Sequence, residues 1–159
     1  MEPAVGIRIG SEGDTTFRRF VESSEPRLRR ALTAAYGPER GAEATAESLA
    51  YAWEHWDHVK NLDNPIGLLY RVGQSRTRER KIRHLFQRPW TPEYWVDPKL
   101  GAALSKLTKS ERVAVALVLA SGLTPSEAAA TMGVTPSTVN TLTKRGLTKL
   151  RRALGANRD

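Results

Sequence analysis

The chain has 159 residues, a net charge of +8 and no cysteine, which excludes disulfide scaffolds, thiolate metal sites and thiol catalysis. Apolar residues make up 40% and charged residues 26%, the balance of a soluble globular chain with too much apolar material for disorder throughout. No apolar run approaches the ~20 residues of a membrane span, and the first residues lack the apolar core of a secretory signal, so the expected setting is the cytoplasm, away from membranes.

The charge is unevenly placed. Residues 1–64 hold 8 basic and 11 acidic residues, a net of −3, residues 65–106 a net of +6, and residues 107–159 a net of +5. An acidic front followed by two basic blocks points to two kinds of partner surface, one of them a polyanion such as nucleic acid.

Residues 1–13 show no periodicity and are expected to form a flexible tail. From Asp14 the apolar positions Phe17, Phe20, Val21, Leu28, Ala31, Leu32 and Ala35 mark one face of a helix. Pro26 should kink or split it, and Gly37-Pro38 should end it. A second helix from Pro38 places Ala42, Thr45, Ala46, Leu49, Trp53 and Trp56 on its inward stripe, with Glu39, Glu43, Glu47 and Glu54 mostly off it. Asp57–Asp63 is expected to be a polar connection. Asn64 then suits an N-cap with Pro65 at the first helical position. The helix it starts carries Ile66, Leu69, Val72, Ile82, Leu85 and Phe86, with Arg71, Arg76, Arg78, Arg80, Lys81 and Arg83 on its other faces.

Residues 87–98, QRPWTPEYWVDP, interrupt the helical pattern with three prolines. They are expected to link two units, 14–86 and 99–159. Trp90, Tyr94 and Trp95 are unusually apolar for a linker and should pack on one of the halves or into a partner. Asp97-Pro98 suits another helix start. Thr108-Lys-Ser-Glu111 and Thr124-Pro-Ser-Glu127 fit two capping boxes. The helix after the first box should stop at Gly122 and the helix after the second at Gly133. The last helix should start at Thr135-Pro136, with Val139, Leu142, Leu147, Leu150 and Leu154 inward. Nothing reads as a strand. The expected fold is all-α, two small helical domains joined by a short Pro/Trp-containing linker.

Residues 124–145 fit a helix-turn-helix. Two helices crossing over a short turn need a small side chain where they approach, which Ala129 supplies. Their turn needs a residue tolerant of positive φ, which Gly133 supplies. Val139 and Leu142 press the second helix onto the first, and Met132 and Val134 should flank the turn and face inward. In that arrangement the outer face of the last helix enters the major groove. Ser137, Thr138, Asn140, Thr141, Lys144 and Arg145 lie near its start. Asn can bond adenine bidentately, and Arg or Lys can bond guanine. Lys149, Arg151 and Arg152 are placed to meet phosphates or to solvate the helix end.

The stretches AEATAESLAYAWEHWDHV (Ala42–Val59) and NPIGLLYRVGQSRTRERKIR (Asn64–Arg83) resemble region 2 of the extracytoplasmic-function sigma factors of bacterial RNA polymerase. The stretch Leu107–Leu154 resembles their region 4. The resemblance implies a sigma factor, with core RNA polymerase, promoter DNA and an anti-sigma factor as candidate partners, and with no cofactor. It places Glu43 and Glu47 on the helix that binds the β′ clamp helices, and region 4 near the β subunit. Arg71, Gln74, Ser75, Arg78 and Arg80 fall on the helix that reads the −10 element, after a loop, His58–Asp63, that captures a flipped base. Pro136–Arg145 would read the −35 element, and Arg112 matches a position contacting the DNA backbone. Ala46 stands where the family usually has Gln, Leu68-Leu69 where a Trp-Leu pair is usual, and Ser75 where Asn is usual. These departures leave open an altered −10 preference.

Enzyme chemistry finds no support in the residues. His55 and His58 are three apart, but a third metal ligand at a set spacing is missing. No Ser-His-Asp order and no Gly-rich phosphate loop occurs. Two rival readings stand beside the sigma factor: a DNA-binding regulator using only its helix-turn-helix, and a degenerate sigma-like protein acting as an interaction partner.

Overall fold

The structure, a computed structural model, describes residues 12–83 and 97–155, with side chains up to residue 77 and from 97 onward. Among the described residues every element is helical: α1 (Glu12–Tyr36), α2 (Pro38–Glu54), α3 (Trp56–Val59), α4 (Pro65–Arg83), α5 (Pro98–Ser105), α6 (Lys109–Val115), a π-helical turn (Ala116–Ala120), α7 (Pro125–Met132) and α8 (Pro136–Ala153). The fold is all-α, as expected. The tryptophans of the 87–98 stretch, Trp90 and Trp95, lie outside the described residues.

The first helix starts at Glu12 and continues through Pro26, which does not split it. Proline removes one intrahelical hydrogen bond. Leu28, Ala31, Leu32 and Ala35 beyond it are buried, and packing of such a face dominates helix stability. A left-handed Gly37, with φ of 89°, lets α2 fold back against α1. The inward face of α2 departs from the expected stripe. Gly41, Ala44, Thr45, Ser48 and Ala52 are buried, whereas Ala42 and Ala46 are exposed and Trp53 is 55% exposed. Small residues win this face because it meets α1 and α4 closely. Ser48 Oγ donates to Ala44 O and lies 2.8 Å from Leu69 O on α4.

The expected polar connection after Trp56 contains a helical turn, α3, whose Val59 is fully buried. Asn64 does cap α4: its Oδ1 accepts from the Gly67 amide at 2.9 Å.

The C-terminal helices are closed by the residues that the sequence marks. Asp97 caps α5. Thr108 with Glu111, and Thr124 with Glu127, form complete capping boxes. Gly122 and Gly133 adopt positive φ at the ends they were expected to form. The π-helical turn widens the end of α6, with Ser121 N bonding Ala116 O at 2.9 Å. Ser121 is thereby fully buried.

Two apolar clusters result. A small one, Ala103, Leu104, Leu107, Val115 and Leu150, belongs to the C-terminal helices alone. The larger one joins Leu28, Leu32, Leu69 and Tyr70 of the N-terminal helices to Val113, Leu117, Leu123 and Ala128 of the C-terminal ones. The two halves are therefore docked on each other, α1 against α6 and its π-turn, and α4 against α7.

Candidate nucleic-acid interface

The helix-turn-helix is α7, a turn at Gly133, and α8. Ala129 is 2% exposed at the approach of the two helices, and Val139 of α8 is fully buried against it. Met132 is half-buried, but Val134 is 39% exposed and does not face inward. The left-handed Gly133 turns the chain outward, and the Val134 amide closes back on Ala129 O at 3.1 Å.

Thr135 caps α8 by accepting from the Thr138 amide, and Pro136 fills the first turn. The face beyond carries Ser137, Thr138, Asn140, Thr141, Lys144 and Arg145, all exposed. The Thr138 hydroxyl shares a 2.9 Å hydrogen bond with that of Thr135 and is partly committed to the cap. Asn140, Thr141, Lys144 and Arg145 extend along the same side. No carboxylate interrupts α8 from Pro136 to Ala153, so its exposed face carries only positive charge. Such a face attracts phosphates before any base is read.

Lys149, expected to meet phosphates or to solvate the helix end, is paired with a carboxylate. Its Nζ lies 2.8 and 3.0 Å from the two carboxylate oxygens of Glu111. The same carboxylate accepts from the Thr108 amide. Glu111 is 5% exposed, and the Lys149 ammonium, with the Thr108 amide, holds its pKa below the ordinary carboxylate range. The pair ties α8 to the start of α6. Arg112 is half-buried on α6, and burial lowers its guanidinium pKa.

The candidate residues of the N-terminal half lie on other elements. Arg71 and Ser75 of α4 are exposed and Gln74 is half-buried. Arg78 and Arg80 lie on the last turns of α4, where the side chains are outside the described residues. Glu43 of α2 is exposed, and Glu47 is half-buried with Arg76 Nε at 3.8 Å. The C-terminal end of α2 carries an aromatic cluster with α1. Phe17 meets Trp53 and Trp56 edge-on at 4.9 and 5.2 Å, and Phe20 meets Trp56 at 5.1 Å. Among the described residues no group of three or more His, Asp or Glu is placed to hold a metal ion. No helix there is long and apolar enough to cross a membrane.

Residues 98–150 match the family model described as Sigma-70, region 4. Over these residues the chain is similar to a sigma-70 region 4 domain. Its helix-turn-helix is the one built by α7 and α8. The fold of the chain is similar to that of the sigma factor RpoE from Bartonella quintana, solved as a co-crystal with the anti-sigma factor NepR. The TM-score is 0.73 at 21% identity, over 91% of this chain and 99% of that one. No curated protein sequence matches the chain.

Proposed function

We propose that the chain is a sigma factor that joins core RNA polymerase and directs it to promoters. In this reading α8 of the region 4 unit reads the −35 element with Asn140, Thr141, Lys144 and Arg145, flanked by Ser137 and Thr138. Arg112, half-buried, supports the backbone contact from α6. The N-terminal unit reads the −10 element with α4, through Arg71, Gln74, Ser75, Arg78 and Arg80, and docks on the β′ clamp helices with Glu43 and Glu47. Region 4 docks near the β subunit. The observation that carries the reading is the exposed, carboxylate-free face of α8 inside a region 4 domain.

Melting follows from base capture at the loop before α4. Unstacking a base costs a few kcal/mol, and stacking on protein at ~1–3 kcal/mol per base offsets it. The polymerase does the chemistry, so the chain itself needs no cofactor and acts as no enzyme. The relative with the shared fold was crystallised with an anti-sigma factor, and an anti-sigma factor is accordingly a candidate partner here, in the cytoplasm. Run-off transcription with core polymerase tests the reading. Promoter-dependent transcripts are expected only when the chain is added. DNA binding without any transcript would favour the regulator that uses its helix-turn-helix alone.

A further inference from the structure

Two different helices support α8 at two places. Near its start, Val139 is fully buried in one apolar cluster with Ala128 and Ala129 of α7. Two turns further on, Gly146 is buried against α6. A Cβ at this position would sit 2.6 Å from Val115 Cγ2, 3.3 Å from Leu107 Cδ2 and 3.5 Å from the Glu111 carbonyl oxygen. Leu150, one turn later, shares a cluster with Leu107 and Val115, and Lys149 reaches the Glu111 carboxylate. The exposed residues Asn140, Thr141, Lys144 and Arg145 lie between the two supports.

Glycine is among the least favourable residues inside a helix, and Gly146 does not use the positive φ that glycine allows. What the missing side chain permits here is the close approach of α6. Val115 yields little, because a β-branched side chain is stiff and this one is buried. A methyl group at 146 would push the distal half of α8 outward by about 1 Å, the gap between 2.6 Å and an ordinary contact. The support on α7 stays in place, so α8 tilts about Val139. At 1.5 Å of rise per residue, Arg145 lies about 9 Å from that pivot and Asn140 about 1.5 Å. The same lever moves Arg145 by close to 1 Å and Asn140 by about 0.1 Å.

We propose that Gly146 is a positioning residue for base selection. It lets the distal half of α8 sit down on α6 and so sets the tilt on which the base contact of Arg145 depends, whereas Asn140 is placed by the support on α7. This rests on the reading of α8 as the helix that contacts bases. A bidentate contact to a base edge needs both hydrogen bonds within reach at once, so a displacement of about 1 Å removes most of its discrimination.

Duplexes selected by the full wild-type chain from a random pool, then substituted one base pair at a time, give the preference at each position. Arg145→Ala and Asn140→Ala identify the two base pairs concerned. Gly146→Ala should lose the preference at the Arg145 base pair, by about 5- to 150-fold for a bidentate contact, and keep it at the Asn140 base pair. Adding Val115→Ala removes the opposing methyl groups and should restore the lost preference. Equal loss at both base pairs, or weaker binding to every duplex with preference intact, makes Gly146 a merely structural residue and overturns the proposal. A loss that Val115→Ala does not restore overturns it as well. Should Gly146→Ala fail to fold, Val115→Ile presses on the same contact from the α6 side and should give the same selective loss; unchanged preference in that variant overturns the proposal. A wild-type chain that selects no sequence sinks the reading of α8 itself. Selection by a wild type whose preference Gly146→Ala leaves untouched sinks the positioning role alone.

Discussion

All four helices of the region 4 unit start on a residue whose side chain accepts a backbone amide: Asp97, Thr108, Thr124 and Thr135. In the N-terminal unit neither α2 nor α3 has such a cap. Its 25-residue α1 instead runs through a proline. In the C-terminal unit local chemistry fixes where each helix begins, the 18-residue α8 included. In the N-terminal unit the helix faces are set by which residues can approach a neighbour. Local signals thus define the unit proposed to read duplex DNA, whereas burial defines the unit proposed to read the melted strand.

Large-to-small substitutions in the two apolar clusters should separate these routes most strongly. Leu32, fully buried in the shared cluster, should cost ~2–5 kcal/mol on change to alanine. Leu104 lies in the private cluster of region 4. All four tryptophans, at 53, 56, 90 and 95, precede region 4. With Trp90 and Trp95 changed to Phe, fluorescence reports the N-terminal unit through Trp53 and Trp56, while circular dichroism reports both units. In urea, Leu104→Ala should shift the dichroism transition ahead of the fluorescence transition, and Leu32→Ala should shift both. Coincident transitions for Leu104→Ala would mean that the two units unfold as one.

The second experiment addresses the tie behind the reading helix. Glu111→Ala leaves the Thr108 amide and Lys149 without their acceptor, at a cost of about 1–3 kcal/mol. The acid sensitivity has a definite sign. The folded-state pKa of Glu111 is lowered, so between that value and the ordinary carboxylate value the unfolded chain binds more protons. The contribution of the pair is fully present above the ordinary value and is lost as pH falls through the folded one. Thermal unfolding from pH 7 down to pH 3 should show that loss. Glu111→Gln should flatten it, and an unchanged slope would remove the pair from the stability of region 4.

The same contrast explains what the sequence makes legible. The capping boxes, the left-handed glycines and the exposed set on α8 follow from residue type and spacing, because the partners lie three or four positions away. The inward face of α2 does not. Trp53 and Trp56 look like core by hydropathy, yet Gly41, Ala44 and Ser48 occupy the buried side because two helices pass close there. Contacts across the chain leave still less trace. Nothing near Ser121 announces Arg27, 94 residues away. An isolated glycine in a helical stretch, such as Gly67, hints at a close approach but does not name its partner, here Thr131 of α7. Arg78 and Arg80, expected on the −10 face, have side chains outside the described residues.

Base reading by α8 makes a prediction of similar size with a different readout. Arg145→Ala and Asn140→Ala should each weaken binding to the preferred duplex by ~1–3 kcal/mol and relax preference at one base pair. Arg151→Ala, on the last turn, should weaken all sequences alike. An equal, sequence-independent loss for all three would leave α8 as a phosphate contact only.

The smallest effect on stability is expected at Glu47, and it bears on the least legible surface. Arg76 Nε stands 3.8 Å from Glu47, with the side chains 53% and 33% exposed. Ion pairs this open contribute ~0–1 kcal/mol, so Arg76→Gln should leave the unfolding midpoint nearly unchanged. Its effect on partner binding should be larger and opposite to that of Glu47→Lys. If the acidic face of α2 docks on a basic polymerase surface, Arg76 partly cancels that face. Removing its charge should then strengthen binding to core polymerase, while Glu47→Lys together with Glu43→Lys should weaken it. Both effects should fade at ~1 M salt, where the screening length falls to about 3 Å. Weaker binding by Arg76→Gln at low salt would mean that the arginine itself meets the partner. The docking surface would then have to move from α2 to the basic side of α4.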